Sequence, residues 1–89
     1  MELNTRQIEF LDVLEKTLGN ISTALLQTRT PREDFDDWMG NFLFKSRYDE
    51  IQEKTIDFVE NRLIQKINEG DLQAITFFLK TKGKNRGYV

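Results

Sequence analysis

Apolar residues recur at helical spacing almost from the start of the chain. Ile8, Leu11, Leu14 and Leu18 form one stripe, with Phe10 and Val13 alongside, and that period predicts an amphipathic helix. Asn4-Thr5-Arg6-Gln7 reads as its capping box, with Asn4 or Thr5 at the N-cap. Gly19 stops it from the C′ position. Asn20 to Thr28 then offers capping residues followed by a dense apolar group around Ala24, Leu25 and Leu26, which predicts a two-turn helix buried against the first. Thr30-Pro31-Arg32-Glu33 satisfies three rules for starting a helix at once: threonine at the N-cap, proline at N1 and glutamate at N3. Phe35, Trp38, Met39 and Phe42 follow on one face, and Gly40-Asn41 ends this third helix. Short helix, tight turn, short helix, with an earlier helix to pack against, is a trihelical helix-turn-helix pattern.

A longer helix is expected from about Ser46 to Asn68. Tyr48, Ile51, Thr55, Phe58, Val59, Leu63 and Ile67 make its apolar stripe, and Asp49, Glu50, Glu53, Lys54, Asp57, Glu60 and Lys66 its charged face. Glu69-Gly70-Asp71 breaks the chain, Asp71 caps a last helix through Leu72, Ile75, Phe78 and Leu79, and Gly83 ends it. The fold class is therefore all-α. The expected organisation is a helix-turn-helix unit over residues 1–44 and a long helix, C-terminal helix and basic tail over 45–89, within one compact domain.

Composition narrows the chemistry. The 89 residues hold no cysteine and no histidine, which removes the thiolate metal site, the commonest metal ligand and the commonest general acid or base. The acidic side chains of the long helix have no histidine or phosphate-binding loop beside them, so a solvated face is the plainer reading than a metal site. No enzyme, cofactor or metal is expected. No apolar run approaches the roughly 20 residues that span a bilayer, and Met1-Glu2-Leu3-Asn4-Thr5 lacks signal-peptide character, so the expectation is a cytoplasmic protein without a membrane partner. The net charge is −2, so the chain as a whole does not bind nucleic acid by charge alone. Its distribution is uneven, however. Glu33 to Asp37 is acidic, whereas the final ten residues carry Lys80, Lys82, Lys84 and Arg86 and no acid. Local potential governs binding more than the sum does.

The ordered signals resemble those of bacteriophage terminase small subunits and related phage homeodomain-like helix-turn-helix proteins. The residues that carry the likeness are Gly19-Asn20 and Ala24, Thr30-Pro31-Arg32, Trp38, Phe44 and Tyr48, Gly70-Asp71, and the run Ala74-Ile75, Phe78-Leu79-Lys80, Lys82-Gly83-Lys84 and Arg86-Gly87-Tyr88. The resemblance covers most of the chain and is most specific at the C-terminal run. It implies a non-enzymatic subunit of a phage DNA-packaging motor, encoded by a phage or prophage and acting in the bacterial cytoplasm. Such a subunit recognises double-stranded viral DNA, forms homo-oligomers and regulates the terminase large subunit. Related phage proteins also include regulatory members.

In a helix-turn-helix protein the second motif helix presents side chains to base edges in the major groove. Arg32 is then the candidate for bidentate contact to guanine. Ser22, Thr23, Arg29 and Thr30, at the two helix starts, are candidates for holding phosphates. Lys80, Lys82, Lys84 and Arg86 could neutralise further phosphates. They could equally be a solvated helix end favoured by the dipole, or dock on an acidic partner. The third helix departs from the pattern by presenting Glu33, Asp34, Asp36 and Asp37 beside Arg32. Glu33 and Asp34 suit a helix N-terminus, but Asp36 and Asp37 have no such local reason. A protein-interaction or assembly module that keeps the scaffold without strong DNA contact is therefore the alternative. Adjacent Phe77 and Phe78 cannot both be buried on one narrow face, which with the long mixed-charge helix favours homo-oligomerisation.

Overall fold

The computed structural model describes residues 2–84, and within them every regular element is an α-helix. α1 spans Thr5–Lys16, α2 Ile21–Thr28, α3 Arg32–Met39, α4 Phe42–Asn68 and α5 Leu72–Thr81. The chain divides into two compact units, Met1–Thr55 and Ile56–Val89, with the division inside α4.

The first unit is built on short polar caps and an aromatic core. Asn4 is the N-cap of α1: its side chain accepts the Gln7 N–H at 2.8 Å, and Gln7 Oε1 accepts the Asn4 N–H at 2.9 Å. That reciprocal pair satisfies two of the donors a helix start leaves orphaned. Asn20 caps α2 through the Thr23 N–H at 3.0 Å. Ahead of α4, Asn41 Oδ1 accepts the Phe44 N–H at 3.0 Å. The long helix thus begins at Phe42 rather than near Ser46, because Asn41 caps it directly after α3 ends at Gly40.

The core consists of Phe10, Leu11, Leu14, Ala24, Phe35, Phe44 and Ile51. Phe10 sits at its centre, with ring centroids 5.3 Å from Phe35, 5.9 Å from Trp38 and 6.1 Å from Phe44. Tilted and edge-on pairs of this kind each add about 0.5–1.5 kcal/mol beyond the area they bury. Four expected positions differ. Ile8 and Leu18 are 56% and 51% exposed, because α1 turns Gln7, Phe10, Leu11 and Leu14 inward and ends at Lys16. Leu18 itself lies past the helix with φ 57, followed by Gly19 with φ 78, so two left-handed residues, not glycine alone, reverse the chain. Phe42 is 86% exposed; it opens α4 instead of completing the face of α3. Thr30 does not cap α3, whose N-cap is Pro31.

The second unit comprises the C-terminal half of α4 and α5. Gly70, with φ 83, provides the turn, and the Asp71 side chain caps α5 by accepting the Ala74 N–H at 3.0 Å. Val59, Leu63 and Ile64 of α4 line one shallow groove with Phe77 and Phe78 of α5, and Lys82 Nζ lies 3.1 Å from Glu60 Oε2. The stripe expected along this half of α4 is only partly covered: Leu63 and Ile67 are half-buried, while Phe58 and Val59 are exposed. Arg62 stands over the Phe58 ring, 5.5 Å from its centroid.

Candidate nucleic-acid interface

The turn between α2 and α3 carries three of the expected DNA-contacting residues, Arg29, Thr30 and Arg32. α2 ends at Thr28, and Arg29 closes it in the left-handed conformation, φ 54 and ψ 44. The Thr30 N–H returns to the Leu25 carbonyl at 2.9 Å, which tightens the helix end. Pro31, not Thr30, is the N-cap of α3, and no side chain caps it. Thr30 turns inward instead and is 6% exposed. The Thr28 hydroxyl donates to the Ala24 carbonyl at 2.7 Å, so in the 2.7 Å contact between Thr28 and Thr30 the Thr30 hydroxyl is the donor. A side chain so engaged holds the turn and is turned away from the surface.

Arg29 and Arg32 border this turn in the chain. Arg6, on the first turn of α1, donates from Nη2 to the Arg29 carbonyl at 3.3 Å. Arg32 opens α3, and its guanidinium lies over the Phe35 ring, 5.9 Å from the centroid. Among the described residues no carboxylate lies within the 4.0 Å ion-pair distance of Arg6, Arg29 or Arg32. Three guanidiniums without an internal counter-charge are available to an external anion, and their planar forks match phosphate geometry. Arg6 was not a candidate from the sequence. It lies 23 positions from Arg29, and only the packing of α1 beside α2 brings the two together.

Ser22, Leu25, Leu26, Arg29, Thr30 and Pro31 line a shallow surface groove at this turn. Ser22 is exposed on the first turn of α2 and therefore stands where a phosphate could approach the helix start. Thr23 is half-buried, and its backbone N–H is already taken by Asn20, so it contributes less to that surface than expected. On α3 the outward face carries Arg32 together with Glu33, Asp36 and Asp37, all exposed, while Asp34 is half-buried. Positive charge thus sits at Arg29 and at Arg32, the first residue of α3, while Glu33 and Asp34 in its first turn and Asp36 and Asp37 beyond are acidic.

The basic candidates of the second unit are a separate group. Lys80 and Lys84 are exposed, as is Lys82 with its Glu60 contact. An exposed pair of this kind is worth at most about 1 kcal/mol, so it hinders exchange for a phosphate only slightly. Arg86 and Tyr88 lie outside the described residues. Among the described residues no cluster of acidic side chains could hold a metal ion, and no helix is long and apolar enough to cross a membrane. Comparison with protein-family models, curated proteins and solved structures gave no match.

Proposed function

We propose that the chain is a non-enzymatic DNA-recognition and assembly protein. Its specific form, following the resemblance, is the small subunit of a phage packaging terminase, with double-stranded DNA and the terminase large subunit as partners. The observation that carries the DNA half is that Arg29 and Arg32 border the α2–α3 turn, that Arg6 donates to the Arg29 carbonyl, and that none of the three has a carboxylate partner among the described residues. If α2 and α3 act as a helix-turn-helix, this turn faces the duplex backbone. Arg6 and Arg29 then neutralise phosphates, Ser22 positions the start of α2, and Arg32 reaches a guanine edge from the head of α3. The carboxylates of Asp36 and Asp37 lie farther along α3 and oppose deep insertion of the helix body. Contact is therefore led by the turn and is largely electrostatic, with the exposed lysines of α5 available as a second phosphate-holding surface.

Fluorescence anisotropy with phage and random duplexes at two salt concentrations tests this reading. Binding that weakens steeply with salt is the expected result, and no binding to either duplex at low salt contradicts it. One observation favours a second reading. Glu33, Asp36 and Asp37 are all solvent-facing on α3 without an ion-pair partner among the described residues, as suits a helix that meets a basic protein surface. The chain would then be an assembly module, or a phage regulator, on the same scaffold.

A further inference from the structure

Burial stops abruptly along α4. Ile51 is its last buried residue, and from there to Lys84 only Gly83 is buried. In the first unit, by contrast, Phe10, Leu14, Ala24 and Phe44 are fully enclosed. Apart from Gly83, the second unit holds its two helices together with half-buried side chains, among them Leu63 and Ile67 of α4 and Ile75, Phe78 and Leu79 of α5. Neither helix is strong by itself. Five of the 10 residues of α5 (Ile75, Thr76, Phe77, Phe78 and Thr81) are β-branched or aromatic types that lose side-chain freedom in a helix. Isolated helices shorter than about 12–15 residues are marginal in water, and the Glu60–Lys82 ion pair is too exposed to add much. The boundary also falls at a weak point. The Thr55 hydroxyl donates to the Ile51 carbonyl at 2.9 Å, a back-bond that competes with the backbone ladder and slightly destabilises a helix. The division between the units comes directly after Thr55.

We infer that residues 56–84 open and reclose as a unit of their own while the first unit stays folded. Ile56, Phe58, Val59, Ile64, Leu72 and Phe77 are already about half exposed or more, so opening uncovers little further apolar surface. The hydrophobic term that resists it is correspondingly small, and the conformational freedom gained by two released helices favours it. Unfolding the first unit, in contrast, exposes a complete aromatic core. Opening free energies within one protein run from near zero to the global value, and the two units lie toward opposite ends of that range. Arg6, Arg29 and Arg32 all belong to the first unit, so the DNA contact proposed above survives the opening. Lys80 lies on α5, so on the same reading the second phosphate-holding surface is presented only while the unit is closed.

The opening itself requires no DNA, so its test omits DNA. Amide hydrogen exchange of the full chain, followed by NMR, reads the two units separately. After correction for intrinsic rates, the amides of Phe77, Phe78 and Leu79 should exchange at least about a hundredfold faster than those of Phe10 and Leu14. Low concentrations of urea should accelerate exchange less in α5 than in α1, because a local opening exposes less surface than global unfolding. Thr76→Pro, which interrupts α5 at an exposed position, separates the units a second way. It should abolish protection in α5 and leave exchange at Phe10 and Leu14 within about threefold of the unmodified chain. A single cooperative structure would instead pass the damage on to those amides, speeding them about a hundredfold. A smaller difference between α5 and α1 than the one expected overturns the inference. So does a Thr76→Pro chain that passes its loss to Phe10 and Leu14 or fails to fold.

Discussion

Arg29 closes α2 in a backbone conformation that costs an L side chain about 1–2 kcal/mol, and glycine is the residue that ordinarily fills such a position. Its φ of 54 therefore sets a backbone cost against the phosphate-holding role proposed for the guanidinium. Arg29→Gly separates the two contributions. Stability should stay level or rise by up to about 1 kcal/mol, after allowing for glycine's greater freedom in the unfolded chain. Affinity for duplex DNA should fall at the same time. Urea denaturation and anisotropy on one variant check both halves, and a loss of stability with unchanged DNA affinity would refute the role given to Arg29. Thr30 shows the opposite case. Its sequence context satisfied the rules for an N-cap, yet the neighbouring Thr28 hydroxyl draws it inside, so a local pattern lost to a buried hydrogen bond.

At the scale of elements, the joints decide how the helices meet. Gly19 has φ 78, and a Cβ there would lie 2.6 Å from Gln52 Oε1, whose side chain also reaches the Gly19 carbonyl at 3.4 Å. Gly70 has φ 83 with nothing within 4 Å of its Cβ position. Gly70→Ala should cost about 1 kcal/mol of conformational strain, and Gly19→Ala about 2 kcal/mol, because it also displaces Gln52. Chemical denaturation of the two variants gives the comparison, and an equal or smaller cost at Gly19 would contradict the contact. The caps at Asn4, Asn20 and Asp71, the five helices and the end of α3 at Gly40 were all legible in the sequence, since each rests on residues a few positions apart. Burial was less so. Ile8 and Leu18 fit a helical period, but the orientation of α1 is set by where Phe35 and Phe44 lie, and periodicity carries no such information. Arg6 was hidden for the same reason. The α3 acids, legible from the start, make a prediction of their own: Asp36→Lys with Asp37→Lys should raise duplex affinity modestly if the turn already leads binding. Emergence of binding from an undetectable level would favour the assembly reading instead.

For the whole molecule, the two units divide the proposed labour. The first has a closed aromatic core and carries arginines that have no ion-pair partner among the described residues, whereas the second has an open apolar surface with balanced charge. With a net charge of −2, the DNA affinity proposed above would have to come from local clusters that salt can screen. The most direct measurement is the dependence of log K on log salt concentration for a duplex, compared between the unmodified chain, the Arg6→Ala/Arg29→Ala/Arg32→Ala variant and the Lys80→Ala/Lys82→Ala/Lys84→Ala variant. Each phosphate contact contributes about 0.9 to the steepness of that slope. The arginine variant should flatten it by about 2–3 and lower affinity at every salt concentration, with a smaller change for the lysine variant. An unchanged slope in the arginine variant, or a slope lost only with the lysines, would contradict the central claim that the α2–α3 turn leads DNA contact.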